Sequence, residues 1–260
     1  MRALLLPLTA LYFVTILPAD APIYSSDSLV NSADNQSGWL APNAIATLYG
    51  RNLAYGTKTL SSDDIRAGVL PTVLPNTGVR VLVNGLPANP YYVSPTQINF
   101  LIPPNLLPGL STLQLVIDGL AGPQISVALA AAAPALFQLD RQNVIVTRPD
   151  GSLITPAAPA KPGDVVVLYA TGLGPAVPPV GYGELPRSGA TLQMLSDFHV
   201  MLDGNAVDPS AIAYAGIAPG FAGLYQINLI LPSSTSSNPE IRIGIGDANS
   251  KVGLHIPVSP

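Results

Sequence analysis

The chain contains no cysteine. That excludes disulfides, thiolate metal ligation and a cysteine nucleophile. Histidine is nearly as scarce, with two residues in 260, short of the three or four ligands that a zinc site takes. Charged residues make up only 10%, and 11 Lys and Arg against 15 Asp and Glu give a net charge of −4 with no basic cluster. Phosphate binding needs a basic face, so composition argues against a nucleic-acid partner. No stretch reads as an amphipathic helix. What the sequence does hold is 48% hydrophobic residues, 28 prolines and 23 glycines. The prolines and glycines are spread along the chain, which suits many short strands joined by turns. The length fits one large domain or two of ordinary size.

The N-terminus reads as a targeting segment. Met1-Arg2 supplies a positive start and Ala3 to Leu17 an apolar run. The run is shorter than the ~20 residues needed to cross a bilayer and is broken by Pro7, so it matches the apolar region of a secretory signal. Ala19-Asp20-Ala21 offers a cleavage site, giving a signal over residues 1–21. Pro22 would follow that cut and hinder the peptidase, which leaves cleavage elsewhere or retention as an anchor open. Export to the cell envelope or the medium is the expectation, with no further membrane span.

The chain also resembles itself. Ala41 to Leu53 (APNAIATLYGRNL) aligns with Lys161 to Leu173 (KPGDVVVLYATGL), an offset of 161 − 41 = 120. Val81 to Gly85 answers Val200 to Gly204 at 200 − 81 = 119. Gln97-Ile98-Asn99 answers Gln226-Ile227-Asn228 at 226 − 97 = 129, and Leu113 to Ile117 answers Ile241 to Ile245 at 241 − 113 = 128. Four blocks in the same order, with one insertion, predict two copies of one domain. Each block reads as strand. Asn84-Gly85 and Asp203-Gly204 are hairpin turn dipeptides. The period-2 rule puts Ile98, Phe100 and Ile102 on one face, with Ile227, Leu229 and Leu231 their counterparts. Gln97, Asn99, Gln226 and Asn228 then point away from the core, where their amides are expected to clamp a neighbouring loop. Leu101 and Ile230 also point outward, which predicts contact between the copies or with a partner.

The expected fold is all-β: two tandem immunoglobulin-like β-sandwiches, residues 22–136 and 163–260. A short hairpin and proline-rich linker over 137–162 join them. The hairpin could pack on either domain.

Pro162 to Pro175 (PGDVVVLYATGLGP) and Tyr214 to Asn228 (YAGIAPGFAGLYQIN) resemble a module found at the C-termini of uncharacterised secreted acidobacterial proteins. Its domains are similar to IPT/TIG immunoglobulin-like folds. The first copy fits too, with Asn43 standing where the second has Gly163; Asn tolerates the left-handed conformation that such a turn needs. The resemblance covers residues 28–260. It implies a binding or spacer module and brings no catalytic residues.

The reactive side chains support no chemistry. Ser196, Asp197 and His199 look like parts of a triad, but no nucleophile elbow occurs and a triad is a matter of geometry. Asp203 and Asp208 loosely suggest calcium ligands, and the Asp-Gly turn explains them more simply. Glu184 and Glu240 are the only glutamates and fall in loops, so a facing glycosidase pair is not evident. Tyr91, Tyr92, Tyr182 and Tyr214 lie near predicted loops, where tyrosine can stack on sugar or anchor a protein contact; partial burial at the sandwich ends is the simpler explanation. The reading is a non-enzymatic exported adhesion, assembly or protein-interaction module without cofactor or metal. The alternative is a carbohydrate-binding module using the tyrosines, and the third an enzyme with an interface site.

Overall fold

The computed structural model describes residues 21–259. Residues 1–20, and with them nearly all of the expected signal, lie outside that range. Among the described residues there is no α-helix, only strands and short 3-10 turns. The first sandwich uses β1 (Leu29–Asn31), β2 (Trp39–Leu40), β3 (Ile45–Tyr49), β4 (Lys58–Thr59), β5 (Val79–Val83), β6 (Leu86–Pro87), β7 (Asn89–Val93), β8 (Gln97–Leu101), β9 (Gly109–Ile117), β10 (Leu120–Ala121) and β11 (Ile125–Leu129). One sheet runs β1-β3-β8-β7-β4; the other runs β2-β11-β9-β5-β6, with β10 on β9. Val79, Val81 and Val83 point inward, as do Leu113, Leu115 and Ile117 on the neighbouring strand, and both sets are buried. This is the alternation that one buried sheet face imposes.

The second sandwich repeats the plan with β12 (Ala135–Leu136), β13 (Val146–Thr147), β14 (Val165–Thr171), β15 (Ala176–Val177), β16 (Ala190–Leu192), β17 (Phe198–Leu202), β18 (Asn205–Ala206), β19 (Ile212–Ile217), β20 (Tyr225–Ile230), β21 (Ile241–Ile245) and β22 (Ala248–Asn249). Its sheets run β12-β14-β20-β19-β16-β15, with β13 on β14, and β18-β17-β21-β22. The duplication holds at the level of pairs. Tyr49 faces Gln97 and Thr47 faces Asn99 across β3 and β8; Tyr169 faces Gln226 and Val167 faces Asn228 across β14 and β20. Both turn dipeptides are left-handed at both residues, Asn84 and Gly85 at φ 49° and 77°, Asp203 and Gly204 at 50° and 77°. These are type I′ values, whose twist matches the flanking strands.

One finding departs from the sequence-based expectation. The amides of the Gln-Ile-Asn triplets do not reach a loop: each Gln donates along its own strand to the Asn two residues on, at 2.8 Å in both copies. Of the two packings the sequence left open for the connecting segment 137–162, the structure shows the one on the second sandwich: Val144, Val146, Ile154 and Ala160 are buried in the second core.

Candidate functional site

The two sandwiches meet at a built junction. A third apolar cluster joins Leu70 and Leu101 of the first copy to Ala222 of the second, with Ile45, Leu60, Ile65, Tyr91 and Leu185 packed around it. The outward Leu101 is thus fully buried at the contact between copies, whereas Ile230, for which the same contact was expected, stays 40% exposed. The Thr171 hydroxyl donates to the Gly223 carbonyl at 2.7 Å and accepts from the Ile45 N–H at 2.9 Å. Asn43 Nδ2 donates to the Tyr225 hydroxyl at 3.1 Å, which in turn donates to the Gly174 carbonyl. The two long loops also pair: Leu70 N–H donates to Gly183 O, and Leu185 N–H to Gly68 O, both at 2.8 Å. Gly172, at φ +78°, lets the chain crossing between the sandwiches lie on it, because a Cβ there would run into the Ala133 carbonyl. The Thr-Gly-Leu-Gly-Pro motif is therefore a docking surface for backbone.

Beside this seal the junction opens into a cleft of about 670 Å³, within the range of small-molecule sites. Asn31 to Trp39 form one wall, the Ala130 to Ala135 crossing the floor, and Ala248 to Val252 the other wall. Two edge strands flank it, β2 of the first sandwich and β22 of the second. Trp39 is 64% exposed and Val252 60%. The cause is local: on β2, Leu40 is buried in the core, so its neighbour must face out. Trp39 sits in register with Ala128, and Ala128 with Leu110, so an apolar row leads into the cleft. Asp34 and Lys251 stand on opposite walls. Burial pushes the Asp34 carboxyl above its usual range, against the N–H of Gln36 and the charge of Lys251, which pull it down.

The residues singled out from sequence go elsewhere. Tyr91 is no loop residue: it lies in β7 at a bulge opposite β8, and its hydroxyl donates to the Ala222 carbonyl across the junction at 2.6 Å. Burial raises its pKa far above that of free tyrosine. Tyr92 and Tyr214 pair with Asn99 and Asn228 on the outer sheet faces, so they are equivalents. The Tyr214 hydroxyl donates to Ile217 O at 2.7 Å, while Tyr182 carries a buried hydroxyl with no hydrogen-bond partner among the described residues. Trp39 is not among those candidates; the available signal for it is a single tryptophan one residue before a buried leucine.

The polar residues do structural work. His199 touches the Asn249 amide oxygen at 3.0 Å and the Asp197 backbone carbonyl at 3.4 Å, not its carboxylate. His255 touches Asn238 O. Asp203 accepts from Ser236 Oγ at 2.5 Å and Glu240 N–H at 2.9 Å, whereas Asp208 caps a turn through Ser210 N–H. Glu184 and Glu240 each accept a backbone N–H, from Gly181 and Gly253. Among the described residues no three His, Asp or Glu side chains gather as metal ligands would, and no helix is long and apolar enough to cross a membrane.

No family model matches the sequence, and no curated protein is significantly similar to it. Solved structures that match it include surface proteins. A surface glycan-binding protein of Prevotella bryantii matches 92% of this chain at 11% identity, with a TM-score of 0.28. SGBP-B of a Bacteroides ovatus mixed-linkage glucan utilization locus, in complex with a mixed-linkage heptasaccharide, matches 94% at 14% identity, with a TM-score of 0.35. Domains 5–6 of the S-layer protein SbsC match 91% at 11% identity, with a TM-score of 0.28. This chain spans 43% and 47% of the first two and 98% of the third. At such values the likeness says nothing of ligand or activity; the tandem immunoglobulin-like β-sandwich stands on the strand order itself.

Proposed function

We propose that this chain is a non-enzymatic interaction module of an exported protein, holding a ligand cleft at a fixed junction between two sandwiches. The observation that carries the reading is the pairing of a sealed, hydrogen-bonded junction with an open cleft whose walls come one from each copy. A cleft so made keeps its shape only if the two bodies do not swing, and the bonds through Thr171 and Asn43 oppose swinging. Support for export comes from the charged start and apolar run of the first 21 residues. The cleft is lined by a single carboxylate, Asp34, which a turn holds through the Gln36 N–H, and that supports binding rather than turnover.

Two measurements test this. An alkaline phosphatase fusion to the full chain, active only outside the cytoplasm, should be active. Spin labels on exposed positions of the two sandwiches should give one narrow distance distribution. An inactive fusion overturns the export reading, and a broad distribution overturns the fixed junction.

A further inference from the structure

The cleft is better matched to one class of ligand than to others. Its walls carry hydrogen-bonding groups of both kinds: Asp34, Gln36, Asn249 and Lys251 at the rim, and Asn31 below. The Asn31 side chain is buried and accepts from Ala33 N–H through Oδ1; its Nδ2 has no protein partner among the described residues. The single carboxylate and the single ammonium offset each other, so the site favours neither an anion nor a cation. The floor is built of small side chains, alanines and Pro134, and one wall carries an indole that is 64% exposed. An exposed tryptophan costs hydrophobic free energy unless something covers it, and an aromatic face is covered well by the C–H face of a pyranose ring, with the ring hydroxyls meeting amides at the edge.

We propose that the junction cleft binds a neutral oligosaccharide, with Trp39 as the stacking platform and Asn31, Gln36, Asn249 and Lys251 as hydroxyl partners. A flat protein partner would not fill a cleft of about 670 Å³, and an acidic or basic polymer would not meet a balanced rim. The inference rests on the reading of the chain as a binding module.

Trp39 is the chain's only tryptophan beside ten tyrosines, so fluorescence excited selectively at tryptophan reports on this cleft. The full chain is titrated with cello-, laminari-, xylo-, manno- and malto-hexaose, and run in native gels containing the matching polysaccharides. At least one sugar should give a saturable blue shift and retard the protein. Trp39→Ala should weaken retardation by at least ~10-fold, as for a central aromatic anchor, and Trp39→Phe should restore part of it. Val252→Glu, at an exposed lip position, should weaken it as well, which keeps the test sound should Trp39→Ala fold poorly. No response to any of the five sugars overturns the inference, as does retardation that survives both Trp39→Ala and Val252→Glu. Neither result touches the export and fixed-junction measurements, so the broader reading stands or falls separately.

Discussion

Thr171 shows how one hydroxyl can belong to two domains. It is fully buried, at the end of β14, and bonds Gly223 on its own sandwich and Ile45 on the other. Thr171→Val keeps the shape and leaves a carbonyl and an N–H unpaired in an apolar setting, so it should destabilise by roughly 1–3 kcal/mol. Urea unfolding should show a lower midpoint at unchanged slope; a shift worth less than ~0.5 kcal/mol, the usual scatter of surface changes, would deny the bond its role. Asp203 yields a pH prediction. Its hydrogen bond from Ser236, and then that from Glu240 N–H, hold its carboxyl below the ordinary value of 3.8. The folded pKa lies below the unfolded one, so the contribution is complete above the unfolded pKa and is lost as pH falls through the folded one. Asp203→Asn, which keeps the left-handed turn, should flatten the acid side of the stability profile below about pH 4 and leave the neutral side nearly parallel to the parent.

Among elements, the insertion that breaks the repeat register has the clearest job. The offset between copies moves from 119 to 129 between the Asp-Gly turn and the second Gln-Ile-Asn, and Ala222 and Gly223, which grip the first sandwich, lie in that stretch. Gly223 has φ +70°, and a Cβ there would press on Leu101 and the Asn43 carbonyl. Gly223→Ala should therefore cost ~1–3 kcal/mol and widen the interdomain distance distribution. An unchanged distribution would mean that the extension is not what fixes the angle. The insertion was legible in the sequence as arithmetic, whereas its docking was not. Tyr91 shows why. Pro90 and a bulge interrupt the alternation of β7, and a residue outside the period-2 pattern has no face that can be assigned from sequence.

For the whole molecule, the third cluster couples two cores that could each unfold alone. Tandem domains with a weak interface melt separately; here calorimetry should show one transition. Tyr91→Ala, which removes a half-buried ring and its bond to Ala222, should split that transition in two. Two transitions in the parent protein would show the junction to be too weak to couple the cores.

The sequence alone determined the duplicated all-β plan, the turn types and the buried faces, because strand alternation and turn dipeptides act over a few residues. Only the tertiary structure decided what the outward residues do: that Leu101 and Tyr91 seal a junction, that the Gln and Asn amides satisfy each other, and that Trp39 faces a cleft. Each of those outcomes depends on which surfaces of two separately folded bodies meet, over sequence distances as long as the 182 residues between Asn43 and Tyr225, and no local pattern encodes that meeting.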